Sequence, residues 1–133
     1  MNKLKLGQRG FTIVELLIVI VIIGILATIG FVAFSGAQNK ANKSKAESTL
    51  AQVKSKLGEY YAVNNTYPAD KAAVSTFLSS ADGGNNTSLA GTFGNANYTY
   101  ACATTGGCSA GFTLTADDAL WGENPSGNVV VTN

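Results

Sequence analysis

From Phe11 to Phe34 the chain runs through 24 residues that are almost all apolar, with a single charge at Glu15. At about 1.5 Å per residue, a helix of that length covers roughly 36 Å, enough to cross a hydrocarbon core of about 30 Å. Past Ser35 the pattern becomes amphipathic. Ala46, Leu50, Val53, Leu57 and Tyr60/Tyr61 recur at alternating steps of four and three, the spacing of one helix face, with the lysines mostly elsewhere. No Pro occurs before Pro68. The two segments therefore read as one helical rod from about Phe11 to Val63, roughly 80 Å long. Gly58 is a weak point near its end, and Asn64-Asn65 is the expected stop.

Thr66-Tyr67-Pro68 turns the chain, and Asp70 is placed to cap a short helix whose Val74, Phe77 and Leu78 form an apolar patch. Residues 79–97 follow, 13 of the 19 being Gly, Asn, Ser or Thr, and this composition predicts a loop, a candidate exposed surface. Tyr98, Tyr100 and Cys102 then alternate with Thr99 and Ala101. Phe112, Leu114 and Ala116 alternate with Thr113 and Thr115, so both stretches read as strands. A hairpin centred on Thr105 would set Tyr98 opposite Phe112 and Cys102 opposite Cys108, with Gly106-Gly107 easing the turn. Asn128–Thr132 reads as a third strand and Trp121 as core.

The composition adjusts this picture. The 133 residues hold two Cys and no His, and 13% are charged, about half the share usual in soluble domains. Without His, neither a His-based metal site nor a Ser/His or Cys/His nucleophile pair can be built, so no enzyme and no cofactor is expected. The net charge of +1 conceals a gradient. Lys3, Lys5 and Arg9 give the first ten residues +3. Lys40, Lys43, Lys45, Lys54 and Lys56 against Glu47 and Glu59 give residues 35–64 another +3, whereas residues 65–133 carry −4. A basic stalk and an acidic head point to contacts between neighbouring subunits. A site for anionic lipid or DNA on the stalk and a merely solvated helix face are the other readings.

Two other origins of the apolar run weigh less. A buried helix of a soluble protein would present a polar face, and this one has none. A cleaved secretory signal fits the basic start and Ala33-Phe34-Ser35, but its apolar part would exceed the usual 7–15 residues. The basic leader should stay in the cytoplasm and everything past Ser35 lie outside, where the two Cys suit an oxidising compartment. Glu15 is then the anomaly, because an acid inside an apolar span is costly and a functional candidate unless it reaches the interface.

The stretch Gly10-Phe11-Thr12-Ile13-Val14-Glu15-Leu16-Leu17, behind a short basic leader and ahead of the apolar helix, resembles the N-terminus of type IV prepilins over about residues 7–35. The resemblance implies that a membrane peptidase removes residues 1–10 by cutting between Gly10 and Phe11, and that Phe11 is N-methylated. It implies that Glu15 meets the new N-terminus of a neighbouring subunit during assembly. Burial makes an unpaired carboxylate expensive and a paired one tolerable, so such a contact would also supply registry. Many members carry a Pro in the second half of this helix. Here the chain has Ile29-Gly30-Phe31-Val32-Ala33, with Gly24, Gly30 and Gly36 as the sources of flexibility.

Together these readings give an α+β protein. A long N-terminal helix, its membrane half 11–34 and its amphipathic half 35–64, carries a small antiparallel sheet in the head, residues 65–133. The head is too small for a generous core and leans on the stalk's apolar face and on a disulfide between Cys102 and Cys108. A zinc site would lack further ligands and a redox pair would favour closer spacing. Asp117-Asp118 with Glu123 could hold calcium, as in the related pseudopilins, although no ligand pattern is recognisable and a solvated loop is the simpler account, so no metal is expected. Asn64, Asn85 and Asn97 open glycosylation-type triplets of a kind common by chance in so Asn/Thr-rich a chain.

The expected function is structural. The protein would sit in the cytoplasmic membrane as a single-pass prepilin, be cut by prepilin peptidase and, with the pilus assembly machinery, form a homo-oligomeric helical filament at the cell surface. Adhesion, twitching motility and DNA uptake are its usual uses, with surface or DNA ligands possible partners. A type II secretion pseudopilin or a competence or minor pilin is the alternative. A monomeric membrane-anchored binding protein is a second one.

Overall fold

The computed structural model describes residues 10–103, 108–122 and 128–133. The basic leader ahead of Gly10, the hairpin tip at Thr105 to Gly107, and Glu123 lie outside the described residues. The chain divides into two units, Met1–Ala37 and Gln38–Asn133. Helix α1 is Ile13–Asn64, and Gly24, Gly30, Gly36 and Gly58 lie within it. Its end follows from the sequence as expected. Asn65 takes a left-handed φ of 55° and its N–H closes on the Tyr61 carbonyl at 2.8 Å, a cap that Asn tolerates better than most residues.

In the first unit every described residue is exposed. In the second, α1 buries Ala46, Leu50, Val53 and Leu57, together with Thr49, and these side chains join the head's core. Asp70 caps α2 (Lys71–Ser79), its carboxylate accepting from the Ala73 N–H at 2.7 Å. Val74 and Leu78 are buried, while Phe77 is half-buried against Tyr60.

The loop expected at 79–97 is corrected by α3, Thr87–Gly94. Asn86 caps it through a 3.0 Å bond from the Leu89 N–H, and Leu89, Ala90 and Phe93 are buried on one face. The Gly/Asn/Thr composition disfavours a helix locally, but burying a Leu and a Phe at i and i+4 overrides that weak preference. Residues 80–86 make a tight turn between α2 and α3. A Cβ at Gly83 would run into the Phe77 carbonyl, and Gly84 sits at φ 85°.

The sheet has order β1-β2-β3: Tyr98–Cys102, Phe112–Ala116 and Val129–Thr132, each neighbouring pair antiparallel. The first two strands lie where the alternation placed them, and the third starts one residue later than expected. Asn128 instead accepts the Asp118 N–H at 3.0 Å. The register of the first pair differs from the expected one by four residues. Tyr98 faces Ala116, and Cys102 faces Phe112, not Cys108. An even shift keeps every side chain on its face, so the alternation could not detect it. The observed register pairs all five residues of β2 with all five of β1. It also brings Phe112 edge-on to Tyr67, with ring centroids 4.8 Å apart, while Tyr98 packs beside Phe93.

Phe112, Leu114 and Ala116 are buried, and Trp121 is 1% exposed. The core is therefore a layer between the outer half of α1, the two short helices and one face of the sheet. Two long-range bonds tie α1 to the head: Asn42 donates to the Leu120 carbonyl at 3.2 Å and Lys54 to the Thr132 carbonyl at 2.8 Å.

Candidate functional site

The N-terminal motif occupies the start of α1. Gly10 and Phe11 precede the helix in exposed positions, Phe11 being 87% exposed. Thr12 is the last residue before Ile13 and Glu15 lies in the first turn. The Glu15 carboxylate accepts from the Thr12 N–H at 2.9 Å and from the Thr12 hydroxyl at 2.7 Å. The same hydroxyl accepts the Glu15 N–H at 3.2 Å. This is a reciprocal capping box, in which two otherwise unpaired N–H groups of the helix start are satisfied by side chains. A carboxylate at this position also faces the positive end of the helix dipole. None of these bonds uses residues 1–10, so the arrangement does not depend on the leader.

Thr12 is the residue that pattern reading passed over. Its signal was present, since Thr-x-x-Glu ahead of an apolar run is itself a helix-start signature. Beyond Glu15, Leu16 to Phe34 presents Ile, Val, Leu and Phe side chains on all sides, with Leu17, Ile18 and Val21 at least half exposed. The helix is long and apolar enough to cross a membrane. Among the polar groups of this stretch, the Thr28 hydroxyl returns its proton to the Gly24 carbonyl and so exposes no unpaired donor.

In the head, Cys102 and Cys108 form a disulfide with Cα atoms 4.9 Å apart. It joins the end of β1 to a residue outside the strands, whose backbone bridges Tyr67 through a 3.2 Å bond from the Tyr67 N–H to the Cys108 carbonyl. The Tyr100 hydroxyl donates to the Pro68 carbonyl at 2.7 Å nearby, so the chain leaving α1 is fastened to the sheet at two points. Burial pushes the Tyr100 phenol up to about 12, with smaller contributions from the charges of Tyr67, Tyr60 and Asp70. Asp117 caps the short 3₁₀ turn Asp118–Leu120, its carboxylate accepting the Ala119 N–H at 2.9 Å. Among the described residues no cluster of three or more potential metal ligands occurs.

The Prokaryotic N-terminal methylation motif matches residues 5–31. The family described as Type IV minor pilin ComP, DNA uptake sequence receptor, matches residues 33–123. Fimbrial protein EcpC of Eikenella corrodens is 42% identical over 71 residues, 53% of this chain and 46% of that protein. Type II secretion system core protein G of Pectobacterium carotovorum subsp. carotovorum is 37% identical over 71 residues, with the same coverage of 53% and 46%. Type IV major pilin protein PilE of Neisseria gonorrhoeae is 37% identical over 73 residues, 55% of this chain and 44% of that protein. The matched region thus spans somewhat under half the length of these relatives. No solved structure matches the chain.

A long apolar helix that starts in a methylation motif and carries a small α+β head defines a type IV pilin-like protein. The chain belongs to the family of the type IV minor pilin ComP, DNA uptake sequence receptor. Its methylation motif and exposed apolar helix fit a membrane-anchored precursor.

Proposed function

We propose that the chain is a non-enzymatic filament subunit. It is cut between Gly10 and Phe11 by prepilin peptidase, N-methylated on Phe11 and polymerised through residues 11–34, first in the cytoplasmic membrane and then in a surface pilus. The observation that carries this reading is the apolar stretch Phe11–Phe34, exposed at every residue, whose single charge is Glu15 with its carboxylate at the helix start. Apolar surface of that extent is stable in lipid or against copies of itself, but not in water. Glu15 then meets the cationic N-terminus of a neighbour, since an apolar surround penalises either charge alone.

Mass spectrometry of the N-terminus, on sheared surface material and on the membrane fraction in parallel, tests this. An N-methylated Phe11 in the sheared fraction supports a pilus subunit. Processed protein confined to the membrane fraction supports a pseudopilin or a minor pilin of low copy number. An intact leader or a start near Gly36 overturns the assignment in favour of an anchored or secreted binding protein.

The match of residues 33–123 favours, as a second reading, a minor pilin that contributes a DNA receptor to the filament. Gel-shift binding of duplex DNA by the purified protein checks it. Binding that discriminates between sequences, and that weakens with salt as phosphate contacts do, supports the reading; no binding at low salt removes it.

A further inference from the structure

The end of α1, Phe77 of α2 and the α2–α3 turn flank an open pocket of about 450 Å³ lined by Glu59, Tyr60, Val63, Asn64, Phe77 and Asp82. Three features of it favour a cation. Tyr60 and Phe77 form its aromatic wall, packed edge-to-face with centroids 5.0 Å apart, and aromatic faces attract ammonium groups. Two acidic residues, Glu59 and Asp82, are among its lining. Glu59 shares one oxygen with Lys56 at 2.7 Å, and the exposed Asp82 carboxylate has no ion-pair partner among the described residues. Finally, the cavity lies at the negative end of a helix whose last turn carries no basic residue.

We propose that this cavity receives a stalk lysine, Lys40 or Lys45, from a second copy of the chain, an inference that rests on the filament reading above. Both lysines are exposed and have no anionic partner among the described residues. They cannot fill the cavity of their own chain. Lys45 and Lys40 precede Glu59 by 14 and 19 residues on the same helix, an axial separation of roughly 21 and 28 Å, far beyond the reach of a lysine side chain. A second copy displaced along its helix by about that distance brings a lysine level with the cavity. The pairing converts the basic stalk and acidic head into a specific contact that fixes the axial stagger of neighbours, a role electrostatics serves better than it serves raw affinity.

Zero-length carbodiimide cross-linking of filaments sheared from cells making the full chain tests this directly. A link from Glu59 to Lys40 or Lys45, read by mass spectrometry, can only be intermolecular. It is expected in filaments and absent from detergent-extracted monomer. Asp82→Lys is expected to lower the yield of sheared filament at least fivefold, and combining it with Lys40→Glu and Lys45→Glu to restore much of it. Trp121 emission and an intact Cys102–Cys108 bond show that each variant's head has folded.

Filaments containing processed Phe11 but lacking these links, or Asp82→Lys filaments at wild-type yield, overturn the contact while leaving the filament reading in place. Tetramethylammonium protecting Glu59 or Asp82 from carbodiimide in the monomer, with no lysine link in filaments, reassigns the cavity to a small ammonium ligand and also overturns it. Absence of processed chain from the sheared fraction removes the surface-pilus reading and this contact together.

Discussion

The Glu15 carboxylate is held by Thr12, three residues earlier, through bonds of 2.9 and 2.7 Å from its backbone N–H and hydroxyl. Glu15 thus closes the start of its own helix within one chain, and on the proposed filament reading assembly would either share this carboxylate or exchange Thr12 for a cationic partner. Thr12→Val removes the hydroxyl and leaves the acid, at a cost to the helix start of about 1 kcal/mol. Glu15→Ala removes the acid, with both bonds it accepts, and leaves the Thr12 hydroxyl. We expect Glu15→Ala to abolish sheared filaments with unchanged Trp121 emission, and Thr12→Val to reduce filaments while retaining processing at Phe11. Wild-type filament levels in Glu15→Ala would show that the acid serves the helix cap alone.

Much of this architecture is written in short-range patterns. The apolar run, the 46/50/53/57 face of α1, Asp70 before α2 and the alternation of 98–102 and 112–116 each depend on neighbours within a few residues, and each is found where the pattern set it. What escaped is tertiary. Helix α3 forms because Leu89 and Phe93 have a core to enter, a fact absent from a stretch of Gly, Asn and Thr. The β1–β2 register depends on which partners Phe112 meets, Tyr67 and Tyr100 across the sheet, and an even slip leaves the alternation unchanged. At the N-terminus, Thr12 carried a readable cap signal that the more conspicuous Gly10-Phe11…Glu15 motif concealed.

The assignment of α3 to the core has a direct consequence. Phe93 is fully buried although it lies in a segment of loop-like composition. Phe93→Ala should destabilise the head by about 3–5 kcal/mol, the cost of removing a buried ring and leaving a cavity. Urea unfolding of the detergent-solubilised protein, followed by the emission of its single Trp, reads the change. A loss under about 1 kcal/mol would place Phe93 outside the cooperative core.

The disulfide closes a short loop, so its contribution is bounded. For about seven residues the chain-entropy relation gives roughly 2–2.5 kcal/mol. Reduction with dithiothreitol, or the double replacement Cys102→Ser with Cys108→Ser, should lower head stability by that amount without altering processing at Gly10–Phe11. The Tyr67–Cys108 backbone bridge and the Tyr100–Pro68 bond, which do not require the covalent link, should keep the reduced head folded in the absence of denaturant. Complete unfolding on reduction at 25 °C would mean that these non-covalent contacts are insufficient by themselves.

Tyr100 supplies a pH dependence whose direction is determined. Its phenol ionises near 10 in an unfolded chain and is pushed up to about 12 in the folded head, chiefly by burial. Between those values the unfolded chain has released a proton that the folded one still holds. The contribution of Tyr100 is therefore fully present below pH 10 and is lost as the pH rises toward 12. Tyr100→Phe removes this dependence together with the 2.7 Å bond to the Pro68 carbonyl. The variant should be less stable at neutral pH, by about 0.5–1.5 kcal/mol for a hydrogen bond of this kind. Its stability should also fall less steeply than that of the wild type from pH 10 upward. Urea midpoints from pH 7 to 11.5 measure both effects, and parallel alkaline limbs in the two proteins would exclude Tyr100 as the titrating group.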